Sequence, residues 1–183
     1  MKEYKDKLLQ FKEHLSKLSN QTIIDLKGIL SDEIIEYQLK RTNSDIIVYL
    51  FEYGYEMLDL TFYGLDKYFQ QYTEHISLPT KFPNKDSEFI TSDDIYQFEN
   101  KKAIKSYNNE LTEHEKDLIN AYHTEKTKIF ESWFSNCWKK ASIGIELTKD
   151  AYFSIHDTNC RIDLSTMKEI SHTEIIKKLG LEE

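Results

Sequence analysis

The chain has 183 residues, a formal net charge of −8, 39% hydrophobic and 13% aromatic residues, enough to bury a core and exclude a disordered polymer. Five glycines and two prolines exclude a loop-dominated fold, and neither G-x-G-x-x-G nor a Walker-type phosphate loop can be drawn, so no cofactor is expected. The acidic balance opposes nucleic-acid backbones, since no basic run exceeds a pair, and no apolar run approaches the roughly 18–20 residues that span a bilayer.

Residues 1–19 read as a first helix whose seam is Tyr4, Leu8, Phe11, Leu15 and Leu18, with Lys5, Lys12, Glu13 and Lys17 on the solvated face. Residues 20–44 read less clearly. Thr22–Leu30 suits a short second helix interrupted by Gly28. Ile35, Tyr37 and Leu39 alternate with Glu36 and Gln38 as a half-buried strand would, although a helix capped at Ser31 fits the same stretch. Asp45–Gly64 is rich in β-branched and aromatic residues and predicts a hairpin of roughly eight-residue strands turning near Tyr53-Gly54-Tyr55, with a buried helix as the alternative.

Leu65–Asn109 is the least regular part. Pro79 and Pro83 mark ISLPTKFPNKD as a loop, and Ser92 opens a helix over DDIYQFENKKAIKSY. Its polar character makes this segment the expected partner-facing surface, with Glu88, Asp93 and Asp94 as candidate contacts.

Residues 111–141 carry the longest unbroken helical period. Thr112 and Glu115 form a capping box, and the apolar face includes Tyr122, Phe130, Trp133, Phe134, Cys137 and Trp138. Aromatic residues at this spacing read as the main core. Ala151–Ile155 and Cys160–Leu164 read as a second hairpin turning at Asp157-Thr158-Asn159, and Ser171 with Glu174 caps a final short helix ending at Gly180. The expected fold is a single α+β domain. In it a mostly antiparallel sheet built from two hairpins packs, with its helices on one face, against the long central helix and the N-terminal helix.

The candidate chemistry centres on His156 and Asp157. Histidine exchanges a proton near neutrality and an adjacent carboxylate favours its charged form, so the pair suits a general base, a metal ligand or a binding contact. The bland alternative is that Asp157 simply makes the turn. His114 and His123 fall on opposite faces of the central helix and cannot share a metal. Cys137 reads as core, Cys160 stands beside Arg161, and no C-x-x-C occurs. No cationic segment followed by an apolar one opens the chain, so a reducing cytoplasm with free thiols is expected.

The segments SWFSNCWKKA, YFSIHD and IDLST together resemble the C-terminal pattern of small bacterial toxin-immunity and SMI1/KNR4-like proteins. The resemblance implies a protein that neutralises one partner by binding it. Three functional expectations result. The first is a non-enzymatic acidic domain that binds a protein partner, basic by charge complementarity, through Glu88, Asp93, Asp94, His156 and Asp157. The second is a small hydrolase or metal-dependent enzyme using His156 and Asp157, and the third is a subunit of a homo-oligomer.

Overall fold

The computed structural model describes residues 2–39, 45–55, 57–80 and 89–181. Among the described residues the elements run in the order α1 (Lys2–Leu30), α2 (Glu33–Leu39), β1 (Val48–Tyr53), β2 (Leu60–Leu65), β3 (Ile76–Leu78), α3 (Asp93–Tyr107), α4 (Glu113–Ala141), β4 (Asp150–Ile155), β5 (Cys160–Asp163), β6 (Lys168–Ser171) and α5 (His172–Lys178). The strands make one sheet in the order β3-β2-β1-β4-β5-β6. Four antiparallel pairings flank one parallel pairing, β1 with β4, in which Val48 lies opposite Asp150 and Tyr53 opposite Ile155. The α+β reading holds.

Several local expectations are corrected. The first helix does not stop at residue 19 but continues to Leu30. Thr22 stays helical because its hydroxyl donates to the Leu18 carbonyl at 3.0 Å. Gly28 is no break either: a Cβ there would stand 2.7 Å from Ile34 Cγ1, so the glycine is where α2 closes onto α1. The stretch read as a strand at 35–39 is helical. Ile34 and Ile35 are both fully buried, and a half-buried strand cannot bury two neighbours, whereas a short helix turned inward can. The chain reverses into it through Asp32, at φ +65°.

The first hairpin forms with six-residue strands. Its connection runs over 54–59 instead of a tight turn at 53–55, with the Gly54 amide donating to the Asp59 carbonyl at 3.2 Å. Ile76–Leu78, assigned to the proline loop, is strand β3, with Leu78 opposite Leu60. The second hairpin also forms, and it gains a third strand, β6. Asp163 builds the β5–β6 turn by accepting from the Ser165 amide at 2.8 Å and hydroxyl at 2.6 Å.

Helix α4 opens on the expected capping box, in which the Thr112 amide donates to Glu115 Oε2 at 2.9 Å. Its apolar face lies on β1 and β4. Phe134 stacks on Phe153 with centroids 4.2 Å apart, Trp138 meets Phe51 edge-on at 5.5 Å, and Phe130 meets Tyr53 at 5.0 Å. The Trp138 indole donates to the Leu164 carbonyl at 3.1 Å. Each such side chain contributes on the order of 2–3 kcal/mol by burial. Trp133 departs from the expected core: it is half-buried between α4 and α1, its indole donating to Ser19 Oγ at 2.9 Å. The helices are not confined to one face. Ile175 and Leu179 of the α5 region, with Phe69, cover Val48, Leu50, Leu65 and Tyr152 on the opposite side.

Two buried polar contacts tie the layers together. Asp25 of α1, fully buried, accepts from the Thr80 amide at 2.6 Å, the Thr80 hydroxyl at 3.1 Å and Gln21 at 2.9 Å. Burial outweighs these bonds and pushes its carboxyl up to about 6. Lys126, 1% exposed on α4, meets Glu99 of α3 at 2.8 Å, and Tyr122 donates to the same carboxylate at 2.7 Å.

With its folded-state pKa raised, Asp25 holds a proton in the native state that the unfolded chain has already released between about pH 4 and pH 6. Its contribution is therefore complete below about pH 4 and is lost as pH rises through about 6, by on the order of 3 kcal/mol. Urea unfolding of the wild type and Asp25→Asn at pH 4 and pH 7 should show the variant gaining relative stability at pH 7. An equal difference at both pH values would refute the assignment. For the ion pair, Glu99→Gln should cost about 3–5 kcal/mol by stranding a buried ammonium, while Glu99→Leu with Lys126→Met and Tyr122→Phe, which removes every polar partner together, should lie within about 1–2 kcal/mol of wild type. Urea midpoints at constant m-value read both.

Candidate functional site

Among the described residues, the second face of the sheet is covered by α5 and the 66–72 loop at one end only. Beyond them, the register sets a polar row across four strands. Thr61 and Ser154 both lie opposite Glu52, and continuing the β4–β5 register places Arg161 opposite Ser154. A cleft of about 350 Å³ opens above this row, lined by Glu52, Tyr63, Phe69, His156, Arg161 and His172 among others.

Each side chain is held by its element. Glu52 is the one charge in the apolar strand β1 and is half-buried. Burial raises its carboxyl above the usual range, while His156 and Arg161 pull it down and Asp157 pushes it up. Arg161 lies 5.5 Å from the Phe69 ring centroid, and its Nη1 stands 3.4 Å from His172 Nδ1. Two polar atoms here are buried without a hydrogen-bond partner among the described residues: Ser154 Oγ and Arg161 Nε.

His156 and Asp157 sit on the rim. The His156 amide donates to the Tyr53 carbonyl at 3.0 Å, tying the β4–β5 turn to the end of β1. Its Nδ1 lies 2.9 Å from Asp157 Oδ2, with the two side chains 57% and 88% exposed. Asp157 adopts φ +59°, so it also makes the turn. Ser154, on the same strand face as His156, does not hydrogen-bond to it. Among the described residues no group of three His, Cys, Asp or Glu side chains is placed to hold a metal ion. Cys137 is buried and its thiol pushed up to about 11, while Cys160 is exposed.

Asp93 and Asp94 belong to a different surface. They form the exposed first turn of α3, beyond a Ser92 cap that makes no side-chain hydrogen bond. Beside them a groove of about 340 Å³ runs between α3 and α4, with Tyr55, Tyr96 and Ala103 on its walls. Tyr55 is 66%, Phe89 70% and Tyr96 40% exposed. Glu88 lies outside the described residues. The structure thus places Asp93 and Asp94 together and His156 and Asp157 together, with each pair beside a different cavity. A third cavity, about 520 Å³ between α1 and α4, is rimmed by Lys12, Lys128 and Lys140.

Sequence reasoning missed Glu52, Arg161 and His172 in the cleft and Tyr55 and Tyr96 in the groove. Glu52 carried a signal, a lone carboxylate inside IIVYLFEY, whereas the approach of His172 to Arg161 is set by β6, which was not foreseen. Among the described residues no helix is long and apolar enough to cross a membrane. No protein-family model matches this chain, and no curated protein or solved structure matches it.

The turn reading of Asp157 has a direct consequence. Asp157→Gly should keep or raise the melting temperature, because glycine enters the left-handed region freely, while Asp157→Ala should cost about 1 kcal/mol. Equal melting temperatures for the two variants would show that the backbone at this position is unstrained.

Proposed function

We propose that the protein is a binding protein that captures a basic protein partner on the groove between α3 and α4. The observation that carries this is the convergence of exposed tyrosines and free carboxylates: Tyr55 and Tyr96 line the groove, and Asp93 and Asp94 stand one turn away. Neither aspartate forms an ion pair among the described residues, so both are available to a cationic partner. Lys102, the cation on the groove wall, is engaged by Glu3 at 3.2 Å.

The division of labour follows from physical chemistry. Tyrosines concentrate binding energy because they bury a large area at little entropy cost and keep a polar tip. Carboxylates at the rim add little affinity in high dielectric but steer encounter, and a net charge of −8 extends that steering. An immunity-type role, in which binding neutralises the partner, is the specific form favoured by the acidic balance and by the resemblance of the C-terminal segments. His156 and Asp157 lie on the other sheet face and are not part of this contact.

The test compares immobilised wild type with the triple variant Asp93→Lys, Asp94→Lys, Tyr96→Ala against lysate at low and high salt. Wild type should retain one stoichiometric basic protein, released as salt rises. The variant should lose at least about tenfold in affinity for it. Equal retention by the variant, or retention insensitive to salt, would overturn the reading.

A further inference from the structure

The open sheet face holds a pair of charges that the fold does not use. Glu52 and Arg161 project from one row, two strands apart, with Ser154 between them. At the usual strand spacing of about 4.8 Å, their backbones stand about 10 Å apart. They face each other across the cleft without an ion pair or hydrogen bond joining them among the described residues. Among the described residues Arg161 Nε is buried with no partner, and the Nη1 of the same guanidinium stands 3.4 Å from His172 Nδ1, a long contact. Ser154 is 5% exposed and its hydroxyl is likewise unpartnered. Each buried donor left unmade costs about 1–3 kcal/mol. A half-buried carboxylate and a guanidinium with an unmade donor, lining one cleft above a buried unpartnered hydroxyl, suit a ligand better than they suit stability.

We propose that this cleft binds a small zwitterion of the α-amino-acid type with an apolar side chain, its carboxylate on Arg161 and its ammonium on Glu52. A carboxylate and an ammonium on one carbon are about 3 Å apart, so with a hydrogen bond of about 2.8 Å at each end the two side-chain tips need to stand about 8–9 Å apart, which side chains rising from backbones about 10 Å apart can reach. A carboxylate taken side-on by the guanidinium uses the Nε edge, the edge that lacks a protein acceptor. Reaching it requires the Arg161 side chain to swing away from Phe69. Leu50, Leu65, Tyr63 and Phe69 form the apolar wall that receives the ligand side chain. His156 and Ser154 stand beside and beneath the charged ends. A ligand with only one charge would leave either a half-buried carboxylate or a guanidinium unmatched. Because the bound ligand is neutral overall, its affinity is expected to change little with salt, unlike binding at the α3–α4 groove.

Titration calorimetry tests this with L-phenylalanine and L-leucine, and with two analogues of phenylalanine that each lack one charge, 3-phenylpropionate and phenethylamine. The amino acids should bind, and each analogue should bind at least about tenfold more weakly. Arg161→Gln and Glu52→Gln should each weaken amino-acid binding about tenfold or more. Both unliganded variants should remain folded with a cooperative melt, since neither side chain makes an ion pair among the described residues and Arg161→Gln gives up only the Phe69 and His172 contacts. The proposal falls if no probe binds at millimolar concentration, if an analogue matches the amino acid, or if binding survives in either variant.

Discussion

The parallel pairing of β1 with β4 is the constraint on which the rest of the molecule depends. Two antiparallel hairpins would each fold locally, but joining them side by side in the same direction demands a long crossover. The chain supplies it between Leu65 and Asp150, through β3, α3 and α4. Helix α4 then has one place to go. Its stripe of Phe130, Phe134 and Trp138 lands on Phe51, Tyr53 and Phe153, the inward residues of the two paired strands. The same layer that closes the core therefore fixes the register of the central strands, because a slip of one residue would turn those aromatics to the opposite face. Helix α1 runs alongside in the same direction, with Tyr4 against Tyr122, Phe11 beside Lys126 and Ser19 bonded to Trp133.

Buried polar contacts supply geometry where apolar packing is unspecific. A stripe of leucines and phenylalanines can slide, whereas a buried carboxylate must find its donors. Asp25 holds the end of β3 to α1 through Thr80, and Glu99 with Lys126 and Tyr122 holds α3 to α4. Neither contact is strongly stabilising once desolvation is counted. Their effect is to choose one docking of α3 over its neighbours, and the groove beside Tyr96 exists because that docking leaves a gap over Ile119.

What could be read from the residues follows the range of the interactions involved. Capping boxes at Thr112 and Ser171 act over three residues and were legible in full. Both hairpins were legible from alternation, and turn residues placed the second, whereas the first turns over 54–59 and not at the expected 53–55. The 35–39 stretch misled because alternation in five residues cannot outweigh two adjacent isoleucines that need the same core. Strands β3 and β6 are too short, at three and four residues, to carry a period of their own and form only because a neighbour presents an edge. In α4, Lys126 occupies the row of Tyr122, Phe130 and Phe134. A charge at a buried position of that stripe is a sign of a buried partner, and it was overlooked in the sequence; the partner is Glu99. Of the site residues, His156 and Asp157 were found because they adjoin in sequence, while their neighbours on the cleft were not, because three strands and a helix start bring them together.

The two cavities share one segment. Strand β1 delivers Glu52 to the cleft on the open face and three residues later delivers Tyr55 to the groove on the helical side. Between them, the Tyr53 carbonyl accepts from the His156 amide, and the Tyr53 hydroxyl donates to Glu131 of α4 at 2.5 Å. The end of β1 is thus clamped from both faces. A clamped strand transmits little motion, because coupling between sites needs an element with two arrangements of similar energy. Beyond the strand the chain is held by the backbone bonds of Gly54 to Asp59 and Leu58, with Leu58 at φ +54° and Tyr55 exposed. On these contacts the cleft and the groove are separate surfaces, one on each side of the sheet, with the clamped end of β1 between them.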